Sequence, residues 1–229
     1  MRGMRSNARG PRCPPILRFR EPVSGLTHLV GALLGVAALV LLLVLSRGRS
    51  WLTVSFSIYG ATLIILYTTS AIYHLFPVRQ SIVDLWLKLD QCAIYLLIAG
   101  CYTPLCLAKL RGAWGWSLFG VVWGLAVIGI TLKLAWRGMP PWCDMMMYLM
   151  MGWLAILGIG PLSHSLGEAG LRWLVAGGVL YSVGSIFYIS DRPRLWPGRF
   201  GAHEIWHLFV LAGSAAHFMV MLTLLQPRG

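Results

Sequence analysis

"LTHLVGALLGVAALVLLLVL", residues 26–45, runs for twenty residues without an Asp, Glu, Lys or Arg. Wound as an α-helix at about 1.5 Å per residue, it is about 30 Å long, the thickness of a bilayer's hydrocarbon core. Six further apolar segments follow, at about 53–75, 86–108, 114–136, 142–160, 171–190 and 203–225. Lipid offers no partner for backbone N–H and C=O groups, so each segment is expected to satisfy its own as a helix. Polar or turn-forming stretches separate them: "SRGRS" (46–50), "PVRQS" (77–81), "LRGAW" (110–114), "RGMPPW" (137–142), "SHSLGEAG" (163–170) and "DRPRLWPGR" (191–199).

The composition agrees. Charged residues make up 11% of the 229 positions and hydrophobic ones 58%, whereas a soluble domain carries about a quarter charged residues. The expected fold is all-α: a basic arm over residues 1–20, then a membrane domain of seven transmembrane helices over 21–229. A net charge of +12 points to orientation in the membrane rather than to nucleic acid, for no DNA- or RNA-binding motif accompanies it. With the N-terminus inside, thirteen Lys and Arg fall on inner segments, Lys133 among them. Six fall on outer ones: Arg47, Arg49, Lys109, Arg111, Arg172 and Arg228. Basic residues gather on the cytoplasmic side, so the N-terminus is expected in the cytoplasm and the C-terminus outside. Without the arm the count is seven against six, so the arm decides it.

Several patterns read as packing. The five cysteines (Cys13, Cys92, Cys101, Cys106, Cys143) include no C-x-x-C pair, so buried thiols are expected rather than disulfides or a cysteine metal site. "GALLG" (31–35) and "GVVWG" (120–124) are G-x-x-x-G pairs that let helices approach closely. Met145, Met146, Met147, Met150 and Met151 suit adaptable helix packing.

Ionisable residues inside apolar segments cost at least about 2.5–3.5 kcal/mol when charged at the bilayer centre, so each needs a partner or a purpose. His28 follows Glu21 early in the first segment, and Ser70 and His74 share a face at the end of the second. Asp90 stands early in the third segment, and the seventh opens with His203, Glu204 and His207. In the orientation above all of these lie at one depth, near the cytoplasmic boundary. His74, His203 and His207 then supply the three protein ligands of an open Zn2+ site, leaving the fourth position to water. Asp90 is the candidate base or orienting group for that water, and Ser70 its hydrogen-bonding companion. His217 lies about 15 Å beyond His207 along the helix and is expected to be a satisfied helix–helix hydrogen-bonder. His164 is expected to be solvated in an outer loop, and for His28 a packing role or one behind the ligands is favoured over ligation, which stays open.

"HEIWH" (203–207) also spells H-E-x-x-H, the zinc-protease helix signature. The rest of that signature is absent. Residues 208–229 hold no Asp or Glu as a third ligand, and Gly213 stands where the longer three-histidine version needs His. The spacing therefore serves a site of another kind.

Four stretches together resemble the progestin and adipoQ receptor superfamily, specifically its bacterial hemolysin III branch. They are "EPVSGLTHLVG" (21–31), "SAIYH" (70–74), "LDQCAIYLLIAGCYTP" (89–104) and "HEIWHLFVLAGSAAHF" (203–218). This chain has Ser24 where the family commonly has Asn. The resemblance implies seven helices in the bacterial inner membrane and a zinc ion near the cytoplasmic face. It implies His74, His203 and His207 as its ligands, with Asp90 and Ser70 close to the bound water. Related seven-helix hydrolases act on ceramide, so the expected activity is zinc-dependent hydrolysis of a lipid amide or ester, with membrane lipids as partners. A non-enzymatic sensor or regulator with structural zinc is the alternative. The cytolysin of the branch's name is less favoured, because no amphipathic pore-lining helix is visible.

Overall fold

The computed structural model describes residues 19–136, 138–196 and 200–226. Most of the expected basic arm, Cys13, and the orientation charges Arg137, Arg199 and Arg228 lie outside them. The described residues form α1 (Pro22–Leu45), α2 (Ser50–Leu75), α3 (Gln80–Pro104), α4 (Ala113–Ala135), α5 (Pro141–Trp153), α6 (Ile159–Ser190) and α7 (Ala202–Thr223). A π-helical turn at Leu105–Leu110 extends α3, and a 3-10 turn at Leu154–Gly158 joins α5 to α6. Among the described residues the only extended pairing is an isolated bridge between Trp196 and Phe200, so the all-α expectation holds.

Six helical stretches are long and apolar enough to cross a membrane; the longest, Pro141–Ser190, has 50 residues. The expected break at 163–170 is not a loop. Helical structure runs through it and kinks at Gly167, with φ 66° and ψ 178°, a left-handed conformation that glycine adopts without a Cβ clash. His164 is exposed there, on helix rather than in a loop. The helices also begin before the apolar segments do: α3 starts at Gln80 and α1 at Pro22. Hydropathy locates the part of a helix that needs lipid, not the turns that carry it past the boundary.

Side by side, α1 packs on α2, α2 on α3 and α3 on α4, while α7 packs on α6 and returns to α1. Glycines set the closeness of the α1–α2 contact: a Cβ at Gly31 would stand 2.8 Å from the Tyr67 ring, and one at Gly25 only 2.5 Å from the Leu75 side chain. The second glycine pair behaves differently. A Cβ added at Gly120 or Gly124 would meet nothing within 4 Å, so "GVVWG" makes no close approach among the described residues. The interior is filled by Phe56, Tyr59, Tyr67, Tyr95, Leu105 and Met151, while Leu33, Leu34, Val127, Leu157 and Ile186 stand on the outer surface, as a lipid-facing surface requires. The methionine cluster divides the same way, Met145 and Met151 inward, Met146 and Met150 outward. Cys92, Cys101, Cys106 and Cys143 are free thiols.

Two charged contacts revise the simple inventory of boundary charges. Lys133, counted among the inner orientation charges, is buried in α4 and sits 2.5 Å from Asp144 of α5. The Tyr95 hydroxyl of α3 donates to the other oxygen of that carboxylate at 3.0 Å. At the opposite end, Arg49 donates to the carbonyl of Leu225 at 2.7 Å and Lys109 to that of Gln226 at 3.3 Å. These cations meet the negative end of the α7 dipole.

Candidate metal centre

His74 lies in the last turn of α2, and Ser70 one turn earlier on the same face; both are buried. The entry to α1 is stapled beside them. The Glu21 N–H donates to the carbonyl of His74 at 3.0 Å, and the Arg20 N–H to that of Leu75 at 3.4 Å, satisfying carbonyls that a helix end leaves free. Arg20 also donates to the Tyr73 carbonyl and lies over the Tyr73 ring. His203 and His207 come from the first two turns of α7.

Three Nε2 atoms converge. That of His203 is 3.4 Å from His74 Nε2 and 3.1 Å from His207 Nε2, and the three ligand nitrogens all lie within 4.8 Å of one another. A tetrahedral zinc ion with bonds of about 2.0–2.1 Å holds its nitrogens about 3.3 Å apart. The donor set and the two short separations fit such an ion.

The orientation of two of the rings is fixed from behind. His74 Nδ1 meets Glu21 Oε2 at 2.5 Å, and His207 Nδ1 meets the carbonyl of Ser24 at 3.3 Å. With Nδ1–H donating to an oxygen, Nε2 is left with its lone pair toward the centre, the arrangement that metal-ligating histidines use. The hydrogen bond with His74 holds the Glu21 carboxyl below its usual range, so Glu21 stands ready as the anionic acceptor. Neither Glu21 nor the Ser24 carbonyl is singled out by sequence spacing as an orienting group; the Nδ1 partner of a histidine is a tertiary fact.

The Glu204 carboxylate has partners on two helices. Its Oε2 accepts the N–H of Gly201 at 2.7 Å, capping the start of α7, and its Oε1 accepts the Ser24 hydroxyl at 3.0 Å. Ser24, in the place of the family's Asn, thus ties α1 to α7. The carboxylate serves the helix end and an interhelix contact.

Asp90 is in α3, 8% exposed. It shares the wall of an apolar cavity with Ser70 and His28. That cavity continues past Leu97, Ile98 and Tyr102 to Leu105 on one side and is closed by α5, α6 and α7 on the others. From Asp90 to Leu105 it follows α3 for about 22 Å. A second hollow, lined by Trp142, Tyr188, Asp191 and His203, touches the histidine cluster at His203. His217 is satisfied as expected, though within its own helix: its Nδ1 meets the carbonyl of Gly213 at 3.0 Å.

The model of the family described as "Haemolysin-III related" matches residues 17–218. The chain is 41% identical over 204 residues to the Hemolysin-3 homolog of Bacillus subtilis (strain 168), covering 88% of this chain and 92% of that one. It is 40% identical over 209 residues to Hemolysin-3 of Bacillus cereus, covering 90% and 92%. The human Monocyte to macrophage differentiation factor is 28% identical over 172 residues, covering 73% and 69%. All four stretches that carry the resemblance lie on the elements just described, and the chain belongs to the haemolysin III family, within the progestin and adipoQ receptor superfamily.

Proposed function

We propose that this protein is a zinc-dependent hydrolase of lipid amide or ester bonds that contributes to lipid homeostasis, its site near the cytoplasmic face of the membrane. The observation that carries this reading is the convergence of the His74, His203 and His207 Nε2 atoms beside an apolar cavity whose wall bears Ser70 and Asp90. Half of a hydrocarbon core is about 15 Å, so a cavity following α3 for about 22 Å has the length for an acyl tail. The bundle crosses the membrane seven times with the N-terminus in the cytoplasm. In support, Pro141–Ser190 would be about 75 Å long if straight, more than twice the core, and its kink at Gly167 divides it.

His74, His203 and His207 would hold the ion. When bound, zinc supplies Lewis acidity and lowers the pKa of water toward about 7. Asp90 acts as the base: it removes a proton from the attacking water and delivers it to the departing amine or alcohol. Ser70 orients Asp90 or the water by hydrogen bonding. The apolar walls hold the acyl tail and exclude bulk water, which strengthens the polar contacts at the reacting carbonyl.

Asp90→Asn tests the assignment. It should retain zinc and lose roughly 10²–10⁴-fold in lipid amide or ester hydrolysis. Equal activity in the variant would remove Asp90 from the mechanism. The deep burial of His74 and His207, 1% and 0% exposed, favours a second reading, in which zinc is a structural tie between α2 and α7 in a membrane sensor. In that case no lipid is hydrolysed and Asp90→Asn is silent.

A further inference from the structure

His28 is the unexplained residue of this site. It is 2% exposed, and neither ring nitrogen has a hydrogen-bond partner among the described residues. It is not one of the three converging ligands. Its ring stacks on His207 with centroids 3.7 Å apart, and the Tyr67 ring meets it edge-on at 4.9 Å. Leaving a buried polar group without a partner costs about 1–3 kcal/mol, and such groups in native structures call for an explanation.

The cavity supplies one. His28 lines it beside Ser70 and Asp90. Polar groups farther along the same walls are already engaged. The Tyr102 hydroxyl donates to the Gly152 carbonyl, Tyr148 to that of Gln91, Ser182 accepts from Trp153, and Tyr181 is paired with Ser214. His28 therefore brings hydrogen-bonding capacity to a cavity whose Tyr102, Tyr148, Tyr181 and Ser182 hydroxyls are already engaged.

We propose that His28 recognises the carbonyl oxygen of an acyl chain lodged in this cavity, a ring N–H donating to that oxygen while the tail lies along Leu97, Ile98 and Ile156. A neutral imidazole offers one donor and one acceptor, which matches a single acyl oxygen. The single donor and the apolar lining suit an acyl carbonyl (amide, ester or ketone). The assignment rests on the lipid reading of the cavity but not on hydrolysis. His28 is then a residue that selects and positions, behind which His207 is held by the ring stack.

The test is a binding comparison with two compounds that have no bond to hydrolyse: a long-chain methyl ketone and the 2-methyl-1-alkene of equal length, in which CH₂ replaces the oxygen. Native mass spectrometry of the detergent-purified protein reads their occupancy. The wild type should favour the ketone about twofold to tenfold, the ratio given by a net hydrogen bond of about 0.5–1.5 kcal/mol. His28→Phe, which keeps a ring against His207, and His28→Leu should bind the alkene as before and lose the preference. His28→Gln, still a donor, should keep part of it. Equal binding of the two compounds by the wild type, or a preference that survives in both the Phe and the Leu variants, overturns the proposal. Binding of neither compound overturns it together with the acyl cavity. A preference that depends on His28 in a protein that hydrolyses no lipid leaves this assignment standing and removes the hydrolase reading alone.

Discussion

Glu21 shows how a single side chain outside the ligand set governs the site. Its carboxylate fixes the His74 ring through Nδ1, and orienting groups of this kind are worth about 10–100-fold in metal affinity. Glu21→Ala should therefore weaken zinc binding by about that factor while leaving the stoichiometry at saturation unchanged, as competition against a calibrated chelator would show. His74, His203, His207, Ser70 and Asp90 are all legible as polar residues of apolar segments at one expected depth, because a membrane makes each polar position costly and therefore informative. The groups behind them are less so. A backbone carbonyl such as that of Ser24 carries no sequence signal, and Glu204 carries a misleading one, since its spacing is shared by a protease base and by a helix-capping carboxylate.

At the scale of elements, buried charge reports how helices are joined. Lys133 and Asp144 link α4 to α5, and Tyr95 brings in α3. Removing one partner strands the other in a low-dielectric interior. Lys133→Met should cost about 3–5 kcal/mol, and Lys133→Met with Asp144→Leu should recover most of the loss, measured by thermal unfolding in detergent. The sequence does not disclose the pair, because a lysine near a segment end looks the same whether it faces cytoplasm or a neighbouring carboxylate. Small-residue patterns are ambiguous for the same reason. Gly31 and Gly35 meet α2, whereas Gly120 and Gly124, at identical spacing, meet nothing among the described residues. The polar stretch at 163–170 likewise reads as a loop by composition, yet a single left-handed glycine redirects the helix there.

For the whole molecule, class and helix content follow directly from long uncharged runs, since lipid admits few other solutions for this chain. The number of crossings and their direction are finer matters, which rest on one kinked stretch and on an excess of basic residues that comes mostly from the N-terminal arm. An odd number of crossings places the termini on opposite sides. Reporter fusions should find the N-terminus in the cytoplasm and the C-terminus outside; both on one side would contradict seven crossings. Everything proposed for the site depends on the metal. The most direct measurement is elemental analysis of the protein purified in detergent without chelator, alongside His74→Ala, His203→Ala and His207→Ala. The wild type should carry about one zinc per chain, lost in each variant. A wild type with no stoichiometric metal would reduce the three histidines to helix packing, and the hydrolase reading would fall with them.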